Sequence, residues 1–169
     1  MKRKTTLFIV QAAIIAAMYA TLTILQNVLL PGSASMAVQF RVSEVLTILA
    51  LFTPAAIPGL TLGCLISNLV TGCALPDIIF GSLATFIGAI GSYALRKNRY
   101  LCSVPPVISN ALIIPFILTY AYHIPGGIPF FMLTVGLGEV ISCMVLGQIL
   151  LTVLNPIRHR IFPTEEDLT

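Results

Sequence analysis

Six apolar stretches, set apart by short breaks of proline, glycine and charge, take up nearly all of the 169 residues. They run over 7–30, 42–52, 56–70, 77–95, 104–122 and 128–154. A bilayer crossing needs about 20 apolar residues, so six crossings joined by short loops account for a chain of this length. Hydrophobic residues make up 57% of the sequence and charged residues 9%, against about 25% charged in a soluble domain. Such a chain cannot coat itself with a polar surface, and its solvent is lipid. In lipid the backbone must satisfy its own hydrogen bonds, which leaves helices as the spanning element. The expected fold is an all-α integral membrane protein, a bundle of six transmembrane helices. It forms one membrane domain over 1–169 that closes with a short acidic tail at 161–169. No room remains for a soluble domain, and no glycine loop of the phosphate-binding kind is present. The chain is expected to bind no cofactor and to be no enzyme, with any ATP used by a partner.

The second and third stretches are short, and Pro54 and Pro58 lie at the break between them. A proline removes a backbone donor and ends a helix, so this pair reads either as two crossings or as one bent hairpin that stops part-way. The apolar run after Met1-Lys2-Arg3-Lys4 is longer than the ~7–15 residues of a signal-peptide core and reads as a retained first helix. Cys64, Cys73, Cys102 and Cys143 lie far apart and read as small packing residues, with no metal site expected. With six crossings, eight of the nine Lys and Arg residues fall on one side and Arg41 falls on the other. Basic residues gather on the cytoplasmic side, so both termini are expected in the cytoplasm of a multi-pass plasma-membrane protein, with Arg41 outside.

The residues that resist this apolar logic are the candidates for function, because charge within a membrane segment is costly and marks ligand or ion routes. Gln39-Phe40-Arg41-Val42-Ser43-Glu44 forms a polar lip on the second stretch. Arg41 and Glu44 could pair across one helical turn, and Asp77, following Pro76, could cap a helix. Glu139 lies deep in Gly136-Leu137-Gly138-Glu139-Val140 with no neutralising neighbour in sequence. It must be protonated or find a donor, either a ligand or a buried group such as Asn110. Asn110 and Asn68 can each serve a heterocycle edge or a helix contact, and Phe40 could stack on a planar ligand. Tyr120 and Tyr122 suit the membrane interface. Gly59-x-x-x-Gly63-x-x-x-Ser67 and Ala84-x-x-x-Gly88-x-x-x-Ser92 read as internal helix contacts. Ala12, Ala16 and Ala20, flanked by Ala13 and Ala17, give the first helix a face that another helix can approach closely, inside or outside the chain.

The alanine face, the 39–44 lip and the run Phe52-Thr53-Pro54-Ala55-Ala56-Ile57-Pro58-Gly59-Leu60 together resemble the substrate-binding S-components of energy-coupling factor (ECF) transporters. The resemblance is greatest to the QueT family and covers nearly the whole chain. It implies a six-helix subunit that captures a queuosine precursor at its outer side: a 7-deazaguanine such as queuine, preQ1 or preQ0. It implies docking through the Ala12/Ala16/Ala20 face onto a coupling subunit shared with two ATPases. On that reading Glu139 is the first candidate for the donor edge of the solute and Glu44 the second. Arg41, Gln39 and Asn110 are candidates for its acceptors, and Asp77 or Glu44 for the ammonium of preQ1. The alternatives are an S-component for another vitamin, a small intramembrane enzyme using Glu139 and His123, or a structural subunit that binds no small molecule.

Overall fold

A computed structural model describes residues 2–31 and 40–162. The described residues are helical, with no strand among them. Helix α1 spans Lys2–Leu29, α2 Val42–Leu51 and α3 Ala56–Val70. Helices α4, α5 and α6 span Asp77–Ala94, Leu101–Tyr120 and Ile128–Ile157, and together with α1 they are long and apolar enough to cross a membrane. The chain is a multi-pass membrane protein with two further, shorter apolar helices, α2 and α3.

Helix α2 organises the bundle. Helices α1, α3, α4, α5 and α6 follow one another as packed neighbours, and α2 sits among them, touching α1, α3, α4 and both halves of α6. Seven of its residues are buried, from Ser43 and Glu44 to Ala50. It is wound as a 3-10 helix over all ten residues. That form rises about 2.0 Å per residue and rarely persists beyond four. The steeper rise carries α2 toward the basic end, where Leu51 and Phe52 line one cavity with Arg96, Arg99 and Arg158. The corner between α2 and α3 is held by Thr53, whose hydroxyl bonds Gln11 Oε1 at 2.8 Å and accepts from the Ala55 N–H at 3.2 Å.

Helix α1 turns Ala12, Ile15, Ala16, Tyr19, Thr23 and Gln26 inward and leaves Ile9, Ile14, Leu25 and Val28 to lipid. Its small residues are matched by those of α3. A Cβ added at Gly59 would meet the Ala12 carbonyl oxygen at 2.8 Å, and one at Gly63 would meet the Ala16 carbonyl oxygen at 2.9 Å. This close crossing accounts for part of the alanine face within the chain. Ala12 and Ala16 are covered within the chain by α3 and are not open to a partner; Ala20 is half-buried, and Ala13 and Ala17 face outward. The second small-residue row behaves as expected, with Ala84, Gly88 and Ser92 buried where α4 meets Pro106 and Ser109 of α5.

Two apolar clusters divide the interior. One joins Leu46, Ile48 and Leu49 of α2 to Tyr19, Leu60 and Leu151. The other joins Ile114, Ile117 and Leu118 of α5 to Phe131 and Val135 of α6. Two helices change winding beside an acidic residue: α4 opens with a π turn over Asp77–Gly81, and α6 becomes π-helical over Val140–Leu146, straight after Glu139. Such turns re-aim side chains and gather at functional sites.

Candidate solute-binding site

The polar side chains in this apolar bundle gather in two layers joined by α2. The outer layer is centred on Asp77. Its Oδ1 lies 3.5 Å from Arg41 Nη2, and both side chains are buried, at 1% and 6% exposure. Its Oδ2 accepts the Tyr122 hydroxyl at 2.9 Å, and its backbone carbonyl accepts from Asn68 Nδ2 at 3.3 Å. Tyr122 in turn accepts from the Ala74 N–H at 3.2 Å. Burial, with the Asp77 carboxylate beside it, raises the Tyr122 pKa and holds its hydroxyl in the donating form. Arg41 and Tyr122, both distant in sequence, thus close on one carboxylate. A cavity of about 110 Å³ opens beside it, lined by Thr23, Arg41, Asn68, Cys73 and Tyr122 among others.

The inner layer is built on two carboxyl groups. Glu44, fully buried, accepts at Oε1 from the Tyr19 hydroxyl at 2.5 Å and from Thr85 at 3.4 Å. Glu139 Oε2 accepts from the Cys143 thiol at 3.3 Å. Ligand atoms of Glu44, Glu139 and Cys143 lie within 4.8 Å of one another. That trio has the donor types for a metal ion, but its hydrogen bonds run from hydroxyl and thiol donors into the carboxylates, which is a proton-sharing arrangement. Asn110 adjoins Glu139. Buried polar atoms with no hydrogen-bond partner include Arg41 Nε, Glu44 Oε2 and Asn110 Nδ2. A buried polar group without a partner costs about 1–3 kcal/mol. Two donors and one acceptor are in this state among the buried carboxyl groups of the two layers. One guanidinium stands with three carboxyl groups across the two layers, an excess of acceptors that suits a solute rich in donors or carrying positive charge.

The structure thereby brings together Arg41, Glu44, Asn68, Asp77, Asn110 and Glu139. Two local expectations change. Arg41 pairs with Asp77 of α4 and not with Glu44 one turn away, because the 3-10 winding of α2 turns Glu44 toward Tyr19. Pro76, not Asp77, holds the cap position of α4, and Asp77 serves as the hub of the outer layer. Phe40 is half-buried and is held through its backbone carbonyl by the Gln26 side chain, whose Oε1 also accepts the Val42 N–H at 2.7 Å. Gln39 and most of the acidic tail lie outside the described residues. His123 stands in the loop after α5, with φ of 51°, beside Tyr122 in the outer layer, apart from Glu139 in the inner one.

Sequence reasoning missed Tyr19, Thr23, Thr85 and Cys143. The first two carried a legible signal: Ala12, Ala16, Tyr19, Thr23 and Gln26 share one helical face, and polar groups on a small-residue face point inward. Tyr122 has the sequence position of an interface anchor, and nothing in the sequence points to its bond with Asp77.

The profile of the QueT transporter family matches residues 9–156. The chain belongs to that family. A curated relative, "Queuosine precursor transporter QueT" of Lactococcus lactis subsp. cremoris (strain MG1363), is 39% identical over 90 residues, covering 52% of this chain and 50% of the relative. The match thus spans about half the length of that relative. No solved structure matches the chain. The family match spans both polar layers, from Tyr19 to Cys143.

Proposed function

We propose that this chain is the substrate-capturing membrane subunit of an ECF-type importer and binds a queuosine precursor, a 7-deazaguanine, between its two polar layers. The observation that carries the proposal is the set of partnerless buried atoms, Glu44 Oε2, Arg41 Nε and Asn110 Nδ2, around the Glu44–Glu139 pair. A guanine-like edge offers adjacent N–H donors, which a carboxylate accepts as two charge-assisted bonds. Glu139 or Glu44 fills that role. The solute's carbonyl oxygen takes a donor from Asn110 or Arg41. The ammonium of a preQ1-like solute matches the excess of carboxyl groups, with Asp77 or Glu44 as its partner. Membership of a transporter family and the name of the Lactococcus relative support the same solute class.

The remaining parts of the proposal follow from the sequence. The basic residues at the end carrying Arg96, Arg99 and Arg158 are assigned to the cytoplasm by the positive-inside rule, which turns the Arg41–Asp77 layer outward. The energy comes from two ATPases through a coupling subunit. With Ala12 and Ala16 covered by α3, the part of α1 available for that subunit is the outward row containing Ala13 and Ala17.

Calorimetry of the detergent-solubilised chain against queuine, preQ1, preQ0, guanine and a panel of vitamins tests the solute class. Glu139→Gln is expected to weaken deazaguanine binding by about 10- to 100-fold, the loss of one charged hydrogen-bond pair. Unchanged affinity would remove Glu139 from the site. Binding of an unrelated vitamin and no deazaguanine would overturn the substrate assignment. Co-purification with two ATPases and a coupling subunit tests the assembly.

A further inference from the structure

The end of the bundle opposite Arg41 carries a second cavity, of about 260 Å³, that the solute site does not use. Arg96, Lys97 and Arg99 reach it from the α4–α5 loop and Arg158 from the chain after α6. Among the described residues no carboxylate lines it. Leu51, Phe52 and Leu151 give its mostly polar lining an apolar part, and Leu101, Val153 and Ile157, close in sequence to the lining residues, are exposed.

Arg99 is set in place by neutral partners. Its Nε donates to Gln148 Oε1 at 3.2 Å and its Nη2 to Thr152 Oγ1 at 3.4 Å. Gln148 also donates to the Arg99 backbone carbonyl. These bonds fix the guanidinium plane, and no acidic group is among its partners in the described residues. Arg96 lies over the Tyr93 ring, 4.0 Å from its centroid, and donates to the Tyr93 carbonyl at 3.1 Å. Guanidinium groups held this way present a fork suited to phosphate.

We propose that this cavity holds the phosphate of an anionic phospholipid. A tetrahedral dianion or monoanion is the chemistry that three or four convergent cations recognise. The apolar part of the cavity's lining, and its position where the helices leave the hydrocarbon, favour a phosphate that carries acyl chains over one free in water. Basic pockets between transmembrane helices bind such headgroups, and each nearby Lys or Arg strengthens attraction to an anionic leaflet. The proposal is independent of the solute and of the partner subunits.

The test is native mass spectrometry of the full-length chain released from nanodiscs made of equal parts phosphatidylglycerol and phosphatidylcholine. Wild-type protein is expected to retain phosphatidylglycerol preferentially. The Arg96→Gln/Lys97→Gln/Arg99→Gln variant is expected to lose the preference, by about fivefold per charge removed. Lys97→Gln alone, which breaks no hydrogen bond, gives the single-charge effect should the triple variant fail to fold. Equal retention of the two lipids, or an unchanged preference in the variants, would overturn the proposal. So would a thermal shift from inorganic phosphate as large as that from short-chain phosphatidylglycerol, which assigns the cavity to a free anion. Lipid retention that appears only after residues 163–169 are removed would likewise overturn it, because the cavity would then belong to the acidic tail.

Discussion

Replacing Asp77 by Asn is the most informative single perturbation of this fold. The side chains of Asp77 and Arg41 are 1% and 6% exposed, and their closest atoms lie 3.5 Å apart. Removing one partner of a buried pair costs about 3–5 kcal/mol, mostly because the other charge is left uncompensated. The separation is long for a charged contact, which argues for the lower end. Arg41 Nε already lacks a partner, so Asp77 carries most of its compensation within the outer layer. The Tyr122 bond at 2.9 Å survives in the Asn variant as a neutral one, at a cost of about 1 kcal/mol. The sum for Asp77→Asn is about 4 kcal/mol of unfolding free energy, read by denaturant titration of the detergent-solubilised chain under circular dichroism. In a double-mutant cycle with Arg41→Gln, the double variant is expected to be less destabilised than the two singles added together, by about 2 kcal/mol or more. An Asp77→Asn loss below about 1 kcal/mol, with no coupling to Arg41, would refute the claim that this pair ties α2 to α4.

Two further predictions test the packing and the mouth. Gly63→Leu places a side chain where a Cβ alone would lie 2.7 Å from Tyr19 Cβ and 2.9 Å from the Ala16 carbonyl oxygen. It is expected to force α1 and α3 apart and lower stability by at least about 1–3 kcal/mol, measured in the same unfolding assay. Cys73 is half-buried at the 110 Å³ cavity, while Cys64, Cys102 and Cys143 are buried. A water-soluble maleimide is therefore expected to label Cys73 first, and bound solute to slow that labelling. Equal rates at Cys73 and Cys143 would place the opening elsewhere.

Much of this architecture could be read directly from the chain. The apolar runs located all six helices to within a few residues, because a helix in lipid is marked by length and by polar or proline breaks more than by fine periodicity. The small-residue rows of α3 and α4 announced close crossings. Buried charge picked out Arg41, Glu44, Asp77 and Glu139, since an apolar chain carries few such groups without a use for them. The alanine row of α1 was harder. Its spacing says only that something comes close, and at Ala12 and Ala16 that something is α3, through Gly59 and Gly63.

Which helix contains each acidic residue was fixed by sequence; which group each one faces was not. Arg41 and Glu44 are three residues apart, yet one turns to Asp77 on α4 and the other to Tyr19 on α1. That division follows from a ten-residue 3-10 helix packed on all sides. Its winding is imposed by the span it must cover and by the neighbours around it, neither of which is written in its own ten residues. The π turns beside Asp77 and Glu139 have the same origin. Local sequence set the inventory of polar groups and their depth in the bundle. Only tertiary packing decided their partners, because in a low-dielectric interior each group goes to the best donor or acceptor within reach, and reach is a property of the assembled helices.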